Sequence, residues 1–158
     1  MPLKTMPRES HEAFALALFK NLAISRGHQI YFGQGGENRI PIQTNVYYQF
    51  GDLRIELPNC TVIVEVESSG GVTNLAKYWE SFVSKRLHKP IKLLHIFRQK
   101  SASDYESHMV VWRFLCGKMH EALGPNFEGR WITYQHGSQE SLQEALSIFE
   151  KWVQTNAA

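Results

Sequence analysis

The chain has 158 residues, 43% of them hydrophobic and 20% charged, with a formal net charge of +2. That length suits one domain, 1–158, with a single core, and the composition excludes a disordered chain. The near balance of charge singles out no partner, so the charges must be read position by position.

The amino terminus MPLKTMPRES has no apolar h-region and no run is long enough to cross a bilayer, from which a cytoplasmic protein without membrane contact is expected. Cys60 and Cys116 lack paired spacing, which predicts neither a zinc site nor a disulfide framework. A periodic apolar segment over residues 9–26, closed by Gly27, predicts a first helix, largely buried because Phe14, Leu16, Phe19, Leu22 and Ile24 leave little polar surface. Glu12 shares a face with Ala15, Leu16 and Phe19 at helical spacing, which aims it inward from the first turn; an acid near a helix amino terminus is also favoured for its own sake. The glycines of YFGQGGENRIP close no Gly-Lys-Ser/Thr motif and open no G-x-G-x-x-G helix, so they predict a turn rather than a phosphate loop. Three β-rich segments follow, residues 45–50, 52–57 and 61–67, punctuated by Gly51 and Pro58-Asn59, and they read as a meander. Thr73 is a candidate cap for a helix over residues 73–87, Pro90 stops it, and residues 91–97 form the next strand. A helix over residues 104–123, a strand over 130–135 and an amphipathic helix over 138–153 complete an α/β domain without repeats or linkers.

Within Thr61-Val-Ile-Val-Glu-Val-Glu67, strand alternation sets Glu65 and Glu67 on one face and Val62, Val64 and Val66 on the other. Two neighbouring carboxylates on an apolar interior strand repel unless something compensates them. On the strand before, Asp52, Arg54 and Glu56 share a face, and a hairpin at Pro58-Asn59-Cys60 lays that strand against the next. If the polar faces coincide, Asp52, Glu65 and Glu67 converge, and a hard oxygen-ligated cation such as Mg²⁺, with Mn²⁺ as substitute, is the natural counter-charge. The plainer alternative is a set of acids on a solvated face. The seven histidines show no H-E-x-x-H or comparable spacing and read mostly as surface or structural; no G-x-S-x-G elbow or catalytic-thiol signature is present.

An Asp on one strand and an acidic pair on the next strand of a hairpin, within a helix, three-strand, helix, strand order, resemble the PD-(D/E)XK nuclease superfamily, which includes restriction endonucleases, junction resolvases and recombination nucleases. The likeness covers residues 9–97. It implies a restriction endonuclease-like α/β core with additional C-terminal helices and a strand, Asp52 and Glu65 as metal ligands, and Glu12 as a helix-one acid that serves the metal directly or through water. Asn74-x-x-x-Tyr78 is similar to the Gln-x-x-x-Tyr motif of one branch, with Asn for Gln. Gly51 stands where the family carries Pro, and Glu67 where it carries Lys, a residue thought to position or activate the attacking water. Lys77, one turn into the following helix, is placed to take over that role. The implied activity is Mg²⁺-dependent endonuclease cleavage of DNA; the alternative, admitted by the missing Lys, is a noncatalytic nucleic-acid-binding or assembly module on the same fold.

Asn74, Lys77, Tyr78, Ser81 and Lys85 fall on one helical face, and Lys85, Arg86, His88, Lys89 and Lys92 crowd one stretch with Arg98 and Lys100 soon after. Asn74, Lys77, Tyr78, Lys85, Arg86 and Lys89 are therefore candidate contacts to nucleic acid, against the plainer reading of a solvated helix face. Cutting both strands of a duplex with one site per chain predicts a two-fold homodimer.

Overall fold

The computed structural model describes residues 8–67, 71–99, 106–135 and 138–155. In chain order the elements are α1 (Arg8–Ser25), β1 (Tyr31–Phe32), β2 (Arg39–Gln43), β3 (Val46–Gln49), β4 (Leu53–Glu56), β5 (Thr61–Glu67), α2 (Thr73–Val83), β6 (Ile91–Gln99), α3 (Glu106–Leu123), β7 (Phe127–Gln135) and α4 (Gln143–Thr155). Helix α1 ends as its sequence predicts. Gly27 takes φ +80°, and the His28 N–H reaches back to Ala23 O at 3.0 Å, a closure that costs a residue without Cβ little.

Five strands form the main sheet in the order β1-β4-β5-β6-β7. Among the first three each neighbouring pair is antiparallel, while β5, β6 and β7 run parallel, joined by α2 and α3. This is a mixed α/β architecture, as expected. The first β-rich segment does not join the meander, however. β3 pairs with β2 in a separate two-stranded sheet, and β1, two residues at the start of the Gly-rich segment, lies beside β4 instead. Gly51, at φ +80°, turns the chain between β3 and β4 so that the two diverge.

Alternation on the central strands sorts two cores, one on each face of the sheet. Leu53, Ile55, Val62, Val64 and Val66 pack with α1 and α4; Ile63, Leu93 and Phe97 pack with Leu75 and Tyr78 of α2 and Trp112 and Met119 of α3. The result is three layers, helices on both faces of a sheet, which explains why β5 is buried along its whole length. Among the described residues no helix is long and apolar enough to cross a membrane.

Two boundaries differ from expectation in ways that matter for the site. Val72, not Thr73, precedes the first turn of α2, and no side chain caps it. The helix also ends at Val83, because Lys85 adopts φ +58° and the Arg86 N–H turns back to Ser81 O at 2.7 Å. Lys85 therefore leaves the face that carries Asn74, Lys77, Tyr78 and Ser81. Strand β7 begins at Phe127, three residues before the predicted start, and residues 104 and 105 of the predicted third helix lie outside the described residues.

Candidate active site

A polar pocket of about 190 Å³ opens where β5 ends, β4 begins and α2 starts, lined by Glu12, Gln49, Asp52, Glu65, Val66, Glu67, Asn74 and Lys77. The carboxyl end of a parallel pair, here β5 and β6, is where open α/β sheets present their ligand crevices. Cross-strand register accounts for the convergence. Leu53 stands opposite Val64, so Asp52 arrives one step beyond, beside Glu65 and Val66. There its Oδ2 accepts the Val66 N–H at 2.8 Å. Gln49, at the end of β3, donates to Oδ1 at 3.0 Å.

The residue before Asp52 has its own geometric demand. A Cβ on Gly51 would lie 2.4 Å from Ile63 Cγ2, and its carbonyl accepts from both Asn38 and Gln49. Glycine is the residue this place requires, since neither positive φ nor this close approach suits another residue.

Glu65 is nearly inaccessible. Its Oε1 accepts from Lys77 Nζ at 2.6 Å and from the Tyr78 hydroxyl at 2.7 Å, an ion pair buried on both sides. Tyr78, also fully buried, has its pKa pushed well above 10 by burial first and then by the Glu65 charge, so it remains a donor. Glu67 accepts from Asn74 Nδ2, and Asn74 turns its Oδ1 toward Lys77 Nζ at 3.4 Å. Burial above all, then the charges of Glu65 and Glu67, push the Asp52 carboxyl up to about 7 against the opposing Val66 N–H and Lys77. Glu12 reaches the same pocket from near the start of α1, the helix on the opposite face of the sheet.

The predicted cluster of Asp52, Glu65, Glu67, Lys77, Asn74 and Glu12 is therefore brought together. Tyr78 stands behind it rather than in it, fully buried. Lys85, Arg86 and Lys89 are elsewhere. Lys89 pairs with Glu56 at 2.9 Å, next to Thr61, and Arg86 pairs with Glu80 at 3.1 Å and reaches Ile42 O. The Thr61 end of β5 is six residues from Glu67, roughly 20 Å along a strand.

Three contributors were not anticipated. Gln49 precedes Asp52 by three residues and belongs to a strand expected to pair with β4. His95 is fully buried, and the parallel register sets it beside Glu65 on the same face. Its Nε2 lies 3.1 Å from Glu67 Oε1, and the indole N–H of Trp112 donates to its Nδ1 at 3.0 Å. Burial, partly opposed by the Glu65 charge, lowers the His95 pKa to about 4, so the ring is neutral near neutral pH. The one hint in the sequence is a polar residue inside the apolar run Leu93-Leu94-His95-Ile96-Phe97.

Among the described residues no three His, Cys, Asp or Glu side chains stand as a ready metal cage. The donors match a hard divalent cation in kind all the same. Asp52, Glu65 and Glu67 offer only oxygen, Val66 brings backbone to the pocket wall, and three acidic side chains share the pocket with one lysine. Comparison with known protein families, curated proteins and solved structures yields no match to this chain.

Proposed function

We propose that the protein is a Mg²⁺-dependent nuclease that hydrolyses phosphodiester bonds in DNA, on a restriction endonuclease-like core. The observation that carries this reading is the meeting of Asp52, Glu65, Glu67 and Lys77 in one polar pocket from two adjacent strands and a helix. The order of elements supports it as well: α1, then β1, β4 and β5 antiparallel in turn, then α2, then β6 parallel to β5, with the β2–β3 hairpin as an insertion.

Asp52 and Glu65 are the residues that would hold the metal, which supplies Lewis acidity toward a phosphate oxygen and lowers the pKa of bound water. The remaining roles belong to the chain. Lys77, one helical turn from Asn74 and 2.6 Å from Glu65, places a cation where the attacking water or the phosphate must sit, in the capacity of the family's missing strand Lys. Glu67 offers an acceptor that orients the water, and Asn74 spans Glu67 and Lys77 so that the two keep a fixed spacing. Glu12 closes the pocket from the α1 side.

The test is nicking of supercoiled DNA by the purified chain with Mg²⁺ or Mn²⁺ against EDTA. Glu65→Gln keeps size and hydrogen bonding but removes charge, and it should lower the rate by at least about 100-fold while weakening Mn²⁺ binding measured calorimetrically. A Glu65→Gln protein that cuts at the wild-type rate sinks the assignment. DNA binding without metal-dependent cutting would instead establish the noncatalytic module.

A further inference from the structure

Glu67 is gripped from three directions. Asn74 of α2 donates to its Oε1, His95 of β6 lies against the same oxygen at 3.1 Å, and the Gly71 backbone passes so close that a Cβ there would fall 2.2 Å from the carboxyl carbon. His95 is itself oriented. The Trp112 indole can only donate, so the Nδ1 it bonds at 3.0 Å carries no proton, and the proton of the neutral ring sits on Nε2, facing Glu67. Packing fixes this arrangement: His95 is 0% exposed, its ring centroid is 4.4 Å from that of Phe97, and Trp112 packs edge-on against both His95 and Trp131. A neutral donor aims a carboxylate without cancelling its charge, which a Lys or Arg in that place would do.

We propose that Trp112 and His95 form a positioning relay that aims the Glu67 carboxylate into the pocket, where it accepts a hydrogen bond from the water attacking a bound phosphodiester. The role given to Glu67 rests on the nuclease reading above, whereas the relay is a property of the chain without substrate. Neither His95 nor Trp112 touches the substrate; both act through Glu67.

The test has two arms. Nitrogen-15 NMR of the imidazole rings, on the full chain without metal or DNA, reads the His95 tautomer. Wild type should show Nε2–H alone, and Trp112→Phe, which keeps an aromatic ring but loses the N–H, should give a mixture of both tautomers. A mixture already present in wild type, or a His95 signal unmoved by Trp112→Phe, overturns the relay. The second arm measures Mg²⁺-dependent nicking. His95→Phe keeps an aromatic ring without the donor and should lower kcat roughly 10- to 100-fold, with KM changed by no more than about twofold. His95→Gln can place an amide donor near the Nε2 position and should recover most of the loss. Equal losses in the two variants, or a loss carried by KM, overturn the positioning role. If His95→Phe does not fold, Trp112→Phe carries the comparison, with kcat lowered by about threefold or more. A wild-type chain that nicks no DNA overturns the role of Glu67, while the NMR arm still decides the relay.

Discussion

Asp52→Asn should change how the stability of the metal-free protein depends on pH, with a sign opposite to that of a paired surface carboxylate. In the fold, burial and the neighbouring carboxylates hold the Asp52 proton up to about 7, against an ordinary value of 3.8. Between those values the folded chain binds more protons than the unfolded one, so stability is present below the window and is lost as pH rises through it. Each tenfold change in proton affinity is worth about 1.4 kcal/mol, so three decades set an upper figure of about 4 kcal/mol. Water entering the pocket trims this to roughly 2 to 4 kcal/mol. Asn carries no such contribution at any pH. It keeps an acceptor for the Val66 N–H and sets its amide against that of Gln49, a fixed offset that leaves the slope untouched. Urea unfolding in EDTA from about pH 4 to about pH 8 should therefore show wild type losing roughly 2 to 4 kcal/mol relative to Asp52→Asn. Added Mg²⁺ should recover stability at the upper end in wild type and much less in the variant, because the cation selects the deprotonated carboxylate. Two curves that stay parallel within about 1 kcal/mol refute the burial and charge crowding deduced at Asp52.

Lys77→Met should destabilise the metal-free chain by roughly 3 kcal/mol in denaturant melts, because it leaves Glu65 buried without its cation; Mn²⁺ should restore part of the loss, and an unchanged midpoint would mean the pair at 2.6 Å contributes nothing. Lys85→Glu with Arg86→Glu should make the salt dependence of DNA affinity shallower by about 0.9 for each phosphate that is no longer neutralised while Mn²⁺ affinity stays put, since both residues lie past the end of α2 and outside the pocket lining. An unchanged slope would leave Arg86 to its ion pair with Glu80 and Lys85 to a solvated surface. Sedimentation at micromolar concentration should show a dimer; a monomer that only nicks single strands would count against the two-fold arrangement.

Residue pattern disclosed those features of the fold that depend on which way side chains face. The run of Val62, Val64 and Val66 against Glu65 and Glu67 sorted the faces of β5 correctly, and Gly27 ended α1 as glycine in the left-handed region does. Pairing between segments was less legible. Residues 46–49 look as fit to lie beside β4 as Tyr31–Phe32 do, yet the chain turns at Gly51, β3 pairs with β2, and the edge of β4 is left to β1. The end of α2 was hidden for a related reason. A positive φ at Lys85 is uncommon for a residue with a Cβ, and nothing in its neighbours announces it.

The candidate site shows the same division between what one strand reveals and what two strands decide. Asp52, Glu65 and Glu67 attract notice because charged residues interrupt an apolar lattice, and a single strand's alternation is enough to group two of them. His95 interrupts β6 in the same way, yet its meaning depends on register: one residue of slip would turn it toward the α1 and α4 layer, away from Glu67. Register in a parallel pair is set by the crossover through α2 and by apolar packing on both faces, so it belongs to the whole domain and to no local motif. Read along the chain, Glu67 is only an acid where the resemblance implies a Lys. Across the sheet it is an acid with its own donors, Asn74 and His95, and its own clearance at Gly71. Two hydrogen-bond donors and a close backbone turn gather around this one carboxylate, which is what a largely buried acid requires to hold one orientation.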